Sequence, residues 1–159
     1  MIYKGFNLRY DSSRLSFWSI LKLSVKSDYA ARAVLWLAQR YDDKSARTVE
    51  EMASDEGIPP NYLVQILIEL KSANIVKSLR GKEGGYLLAR APSEISFGDV
   101  LRCIHGELFD SPALGNARNP PELREAWKRL RDSVNATADA ITFQDLAQAA
   151  GNKEKMYYI

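Results

Sequence analysis

Thr48–Ala89 reads TVEEMASDEGIPPNYLVQILIELKSANIVKSLRGKEGGYLLA, and its punctuation divides it into four elements. Thr48 is placed to cap a short helix, VEEMASDEG. Glu51 stands at the capping-box position, and Gly57 supplies the stop. Val49, Met52 and Ala53 give that helix an apolar face. A connection of only Gly57-Ile58-Pro59 follows. Pro59 and Pro60 then open a second helix, because proline is tolerated in a first turn. Leu63, Ile66, Leu67 and Leu70 form its inner stripe, and the pair Ala73–Asn74 ends it. Ile75–Leu79 and Tyr86–Ala89 read as strands. The turn Arg80-Gly81-Lys82-Glu83-Gly84-Gly85 joins them into a hairpin.

Working outward toward the N-terminus, residues from Ser27 to Tyr41 show a helical period. Tyr29, Ala30, Ala33, Val34, Leu37, Ala38 and Tyr41 recur at three- and four-residue steps, and Asp42–Asp43 ends the run. Three helices and a hairpin in this order, with short links, predict a winged helix-turn-helix. In that arrangement the third helix enters a DNA major groove and the hairpin lies along the backbone or minor groove. Residues 1–20 mix aromatics with Ser and Arg and show no clean period.

On the C-terminal side, Ala91-Pro92 breaks the structure, and Ser96 caps a helix to about His105 that carries Phe97, Val100, Leu101 and Ile104. A loop rich in Gly, Pro and Asn spans Gly106 to Pro120. Pro121 starts the longest helix. Along it Leu123, Trp127, Leu130, Val134, Thr137 and Ile141 alternate four- and three-residue steps, a near-heptad seam. Thr142 caps a last short helix, FQDLAQAAG. The fold class expected is mainly α with a small β-hairpin: a winged helix-turn-helix domain plus a long dimerisation helix.

The chain has 159 residues, 46% hydrophobic and 26% charged, which suits one small domain with an appendage. One cysteine excludes an intramolecular disulfide and an all-cysteine metal cage within one chain. One histidine, His105, argues against a self-contained Cys/His zinc site or a His-centred triad. The stretch Leu15–Leu23, broken by Lys22, falls short of the roughly 18 apolar residues of a membrane span. No signal-peptide pattern stands out, so a cytoplasmic protein is expected. The formal net charge of +2 hides a gradient. Residues 57–91 carry five basic and two acidic side chains, and residues 92–159 carry eight basic and ten acidic. A basic middle beside a mildly acidic C-terminal part suits one module that meets phosphate and one that does not, although a solvated face would look similar. Gly81-Lys82-Glu83-Gly84-Gly85 is no nucleotide loop: it lacks the lysine–hydroxyl pair and joins two strands. No enzyme constellation is visible.

The string from Leu23 to Leu108 resembles the Rrf2 family of bacterial winged-helix regulators, the family of IscR, NsrR and CymR. The residues that carry the likeness are Tyr29-Ala-Ala-Arg32-Ala33, Tyr62-Leu63 with Gln65, and Leu79-Arg80-Gly81 through Gly84-Gly85-Tyr86 with Leu88-Ala89-Arg90. Ile95, Asp99 and Gly106 complete it. Trp127 and the run Ile141-Thr142-Phe143-Gln144-Asp145-Leu146 look like the family's dimerisation helix and its end. The resemblance implies a homodimeric transcription regulator, most readily a repressor, on a partly palindromic DNA operator. Cluster-binding members carry three cysteines in the loop before the dimerisation helix. Here that loop, Glu107 to Glu122, has none, and Cys103 lies before it. The chain therefore looks like the cluster-less, CymR-like branch, with no cofactor and with a protein or small-molecule effector left open. Family members begin about where Leu21-Lys22-Leu23 stands, so residues 1–20 read as an extension or a mis-assigned start. Residues 21–91 then form the DNA-binding domain, 92–120 the wing-side helix and sensor-loop equivalent, 121–150 the dimerisation helix and short terminal helix, and 151–159 a tail.

Within that frame Asn61, Tyr62 and Gln65 are the candidates to reach bases or phosphates, since amide side chains pair bidentately with adenine. The competing reading is a capping Asn and two solvated side chains. Val64 and Ile68 are apolar for a DNA face and would meet thymine methyls or the core edge. Arg80 and Lys82 in the wing turn are candidates for phosphate or a narrow minor groove, against a plain solvated hairpin tip. Leu123, Trp127, Leu130, Val134 and Ile141 are the candidates for dimerisation. Cys103 reads as a small buried hydrophobe, with a redox switch as the alternative. His105 reads as a helix-end residue near the last carbonyls. The competing function is a protein-interaction module of the same fold that acts through an enzyme or regulator partner, with weak DNA affinity.

Overall fold

The computed structural model describes residues 24–82 and 84–156. The readings for residues 1–20 and Glu83 lie outside them. Helix α1 (Val25–Ala38) starts two residues before the period becomes visible in the sequence. Ser24 is its N-cap and accepts from the Ser27 N–H, while the Ser27 hydroxyl accepts from the Ser24 N–H. A single 3-10 turn, Tyr41–Asp43, leads to α2 (Val49–Glu56). The Thr48–Glu51 capping box forms as read, and Gly57 takes the left-handed cap at φ 60°. The two hydrogen bonds that Glu51 receives from Thr48 hold its carboxyl below the usual glutamate range.

Helix α3 (Pro60–Ser72) has Pro60 in its first turn and buries Leu63, Ile66, Leu67 and Leu70 completely. It closes through Asn74 at φ 55°. Strands β1 (Val76–Leu79) and β2 (Gly85–Leu88) pair antiparallel, with Val76 opposite Leu88 and Leu79 opposite Gly85. The ladder runs one pair past the strands, and the outer edge of β2 is anchored to Arg47. Ala89 N–H donates to the Ile75 carbonyl at 2.9 Å, and Arg47 and Tyr86 exchange backbone hydrogen bonds at 2.9 and 2.8 Å. Gly85 makes that anchor possible, since a Cβ there would collide with the Arg47 carbonyl.

Helix α4 (Phe97–His105), the short α5 (Pro112–Gly115), α6 (Pro121–Ala140) and α7 (Phe143–Met156) complete the order. The core is one cluster formed by α1, α2, α3, the hairpin and α4, and Phe143 of α7 enters it with no exposed surface. Burial of one such side chain contributes roughly 1.5–3 kcal/mol. The structure corrects the sequence reading in three places, the first being the short α5, which forms inside the stretch Gly106–Pro120 read as a loop. Ile141 is not on the long helix, which ends at Ala140; Ile141 is extended at φ −88°, ψ 111°. Its carbonyl accepts from Phe97 N–H at 2.8 Å, and Phe143 N–H donates to the Ile95 carbonyl at 3.0 Å. The chain must leave the helix there to bring Phe143 into the core. Helix α7 is also longer than FQDLAQAAG, passing through Gly151 to Met156.

The C-terminal half of α6 lies against α4. Ala138 is buried, Arg102 donates to Asn135 Oδ1 at 3.4 Å, and Arg102 pairs with Asp139. Gly98 of α4 sits under that pair, where a Cβ would press on Asp139 and Arg102. The helix spans 20 residues, about 30 Å at ~1.5 Å per residue.

Candidate nucleic-acid interface

With Leu63, Ile66, Leu67 and Leu70 turned inward, α3 presents Asn61, Tyr62, Gln65 and Ile68 outward. Asn61, Gln65 and Ile68 follow i, i+4, i+7 spacing and so share one face. Ile68 is 51% exposed and belongs to that face, whereas Val64 is half-buried on its flank. Tyr62 is positioned from below. Its ring meets the Tyr29 ring edge-on at 5.8 Å. The Arg32 guanidinium lies 5.7 Å from the Tyr29 centroid, and Arg32 Nε donates to Glu56 Oε2 at 3.0 Å. Tyr29 and Arg32 belong to the α1 motif and support the α3 surface from the second layer. The period of α1 marks Tyr29 only as an inward residue, so nothing in the local sequence pairs it with Tyr62.

The hairpin places Arg80 and Lys82 at its exposed tip. Among the described residues neither forms an ion pair, and the same holds for Lys77. Most other cations of the winged domain are internally matched: Lys26 with Glu69 at 2.7 Å, Arg40 with Asp55 at 3.4 Å, Arg47 with Asp43 at 2.5 Å and Arg90 with Asp99 at 3.5 Å. Lys71 Nζ donates to Ser78 Oγ at 2.6 Å and ties the end of α3 to the hairpin. The exposed α3 face and the hairpin that carries the wing tip are thereby tied to each other. Among the described residues, the unpaired positive charge of the hairpin is therefore concentrated at Lys77, Arg80 and Lys82.

Cys103 is half-buried and packs against the core. Burial, reinforced by the nearby Glu69 carboxylate and opposed by Lys26, pushes its thiol pKa up, which disfavours the reactive thiolate. His105 does not contact the last carbonyls of α4. Its Nε2 instead meets the hydroxyls of Ser27 and Ser24, the latter at 3.3 Å, and so joins the end of α4 to the cap of α1.

On α6 the seam divides. Leu123 and Leu130 are 45% and 46% exposed. Trp127 and Val134 are half-buried, and Trp127 stacks on Phe109 of the preceding loop at 6.1 Å and 29°. Ile141, off the helix, is 37% exposed.

Residues 23–149 match the family described as Rrf2, iron-dependent transcriptional regulator. The chain belongs to the Rrf2 family. Rv1287 of Mycobacterium tuberculosis is 38% identical to this Rrf2 protein over 135 residues, covering 82% of this chain and 83% of that one. The HTH-type transcriptional regulator CymR of Bacillus subtilis is 31% identical over 137 residues, covering 86% and 97%. Its solved structure, titled as that of the global cysteine regulator, superposes with a TM-score of 0.71 over 81% of this chain and 98% of that one, at 31% identity. T. potens IscR superposes at 0.68, with 31% identity over 82% and 88%. The winged-helix fold and the assignment as a transcriptional regulator of the Rrf2 family follow from these likenesses.

Iron would have to be held by residues of this Rrf2 chain. Iron–sulphur clusters are held chiefly by cysteine thiolates. This chain has one cysteine, in α4, with its thiol pressed on the core, and the stretch 107–122 has none. No three or more His, Cys, Asp or Glu among the described residues group as metal ligands. The donor set of a single chain does not fit a cluster.

Proposed function

We propose that this Rrf2 regulator is a homodimeric repressor that binds a partly palindromic operator without an iron–sulphur cluster and acts in the cytoplasm. Residues 21–91 form its DNA-binding domain, and residues 121–150 carry the dimerisation element. Asn61, Tyr62 and Gln65 read bases or position phosphates, and Arg80 and Lys82 hold the backbone or minor groove. The observation that carries the reading is the shared exposure of the α3 face and the wing tip, with cations at that tip that no described carboxylate matches. Likeness to CymR, whose name is that of a transcriptional regulator, adds to it. The dimer rests on Leu123 and Leu130, which stand exposed on a helix packed through its other end. An apolar row of this kind is removed from water by two-fold pairing with a second copy. Pairing of two such modules sets their α3 helices about 34 Å apart, in successive major grooves.

The test is selection of genomic fragments with the purified full chain, followed by a salt series on the enriched fragments. Enrichment of a palindrome-containing set, with affinity falling steeply as salt rises, is the expected result. Transcription in vitro from an enriched promoter falls as the protein is added. No enrichment, or affinity indifferent to salt, would refute the reading and leave a protein-interaction module of the same fold.

A further inference from the structure

The end of α1, the loop after it and the outer face of the wing enclose a cleft of about 390 Å³ that takes no residue from α3. Its floor is apolar, made by Leu37 and Leu88, which are 4% and 3% exposed. Strand alternation sets one wall. Lys77 and Leu79 share the face of β1 opposite to Val76 and Ser78, and Leu87 stands across from Lys77 in register. The facing wall is Tyr41 and the loop residues Lys44 and Arg47. Lys44 is held in the left-handed conformation at φ 51°, which fixes where its side chain leaves the loop.

The electrostatics are one-sided. Arg40, Lys44, Arg47 and Lys77 all line the cleft, and among the described residues no carboxylate does. Arg40 is engaged with Asp55 and stacks over Trp36 at 3.9 Å, and Arg47 Nη2 is engaged with Asp43. Lys44 and Lys77 have no ion-pair partner among the described residues. Arg47 Nε is buried with no hydrogen-bond acceptor, a costly omission for a guanidinium N–H. An apolar floor under convergent donors is the usual form of a small-molecule site, and the volume falls in the usual range.

We infer that this cleft binds a small amphipathic organic anion, an apolar body carrying a carboxylate or sulfonate. The body covers Leu79, Leu87 and the floor. The anionic head takes Lys44 and Lys77. A DNA phosphodiester offers the charge without the apolar part, so it would leave Leu79 and Leu87 wet. The Arg47–Tyr86 backbone pair and the Leu37–Leu88 floor join the two walls, so an occupant between them bears on the position of the wing. The consequence for DNA affinity rests on the function proposed above; binding of the anion does not.

The probe is 8-anilinonaphthalene-1-sulfonate, titrated into the full chain by fluorescence and by amide NMR. One saturable site per chain is expected, with shifts at Lys44, Arg47, Leu79, Leu87 and Ala89. The uncharged N-phenyl-1-naphthylamine binds about tenfold more weakly or worse, and so does the dye to the double variant Lys44→Asn, Lys77→Gln. Both positions are exposed, so the variant keeps its fold, which the unshifted remainder of the amide spectrum verifies. Saturating dye changes affinity for an enriched DNA fragment by about fivefold or more in the parent and not in the double variant. Shifts confined to the α6 row of Leu123 and Leu130, or equal dye affinity of parent and double variant, overturn the proposal. Loss of DNA affinity in the double variant with no dye site in the parent also overturns it, since the lysines would then serve DNA. Dye binding at the cleft in a protein that enriches no DNA fragment supports the ligand site and removes the DNA reading instead.

Discussion

Gly85→Ala is the sharpest perturbation of the wing. Gly85 sits at φ +151°, a region side-chain-bearing residues rarely adopt, and an added Cβ would run into the Arg47 carbonyl. The Arg47 backbone must retreat or β2 must rotate. Either movement breaks the paired hydrogen bonds of 2.9 and 2.8 Å between Arg47 and Tyr86. Each is worth about 0.5–1.5 kcal/mol net. The backbone conformation costs a further ~1–3 kcal/mol. Together the loss is about 2–6 kcal/mol, which a domain of this size survives in part, given a typical total of about 5–15 kcal/mol. At roughly 2–4 °C per kcal/mol, the thermal midpoint should fall by about 4–24 °C. Two glycines calibrate the result. Gly81 lies at φ +111° with nothing within 4 Å of an added Cβ, so Gly81→Ala pays only the backbone cost. Gly115 has neither the positive φ nor a neighbour, so Gly115→Ala stays within about 0.5 kcal/mol. Thermal and urea unfolding followed by circular dichroism give the three values, and a DNA titration follows. Gly85→Ala should weaken binding while keeping the order of preferred sequences, because α3 is untouched. A midpoint within about 2 °C of the parent, or a larger loss for Gly81→Ala, would refute the reasoning.

Arg80→Ala should weaken DNA binding across sequences and reduce the slope of log affinity against log salt by about one, while Gln65→Ala should relax preference at one operator position by ~1–3 kcal/mol; anisotropy titrations at several salt concentrations separate the two. The α6 pairing should fail in Leu130→Asp, and further in Leu130→Asp with Trp127→Ala, giving monomers by light scattering with a parallel fall in DNA affinity. Leu130 is 46% exposed, so the single change costs the protomer little, whereas Trp127→Ala also removes the stack on Phe109. An intact dimer for the double variant would sink the assignment. Cys103, its pKa raised by burial and by Glu69, holds less thiolate at neutral pH than a free cysteine. Iodoacetamide should therefore label it slowly in the native protein, faster as pH rises, and fully in urea; equal native and urea rates at pH 7 would contradict this.

Helix boundaries set by caps were legible without coordinates. Thr48 with Glu51, Gly57, Pro60, Asn74, Ser96 and Pro121 each act on residues three or four positions away, and each ends or begins a helix where its chemistry requires. The buried stripe of α3 was legible for the same reason, and with it the outward face that carries Asn61, Tyr62 and Gln65. Helix α1 starts two residues before its apolar period because its first turn is held by Ser24 and Ser27, hydroxyls that carry no such period.

The sequence by itself determined the order of elements apart from α5, the winged architecture, the family likeness and the absence of a cysteine set for a cluster. These depend on local backbone chemistry, periodicity and residue identity. Only the tertiary structure decided where distant segments meet. The Ile95–Phe97 and Ile141–Phe143 backbone pairing removes Ile141 from the α6 helix and sends Phe143 into the core. Tyr29 meets Tyr62, His105 meets Ser27 across 78 positions, and Trp127 divides its surface between Phe109 and solvent. The same helical period is satisfied whether an apolar residue faces its own core or a second chain. The choice between them belongs to packing, which chooses by filling space across elements rather than along them.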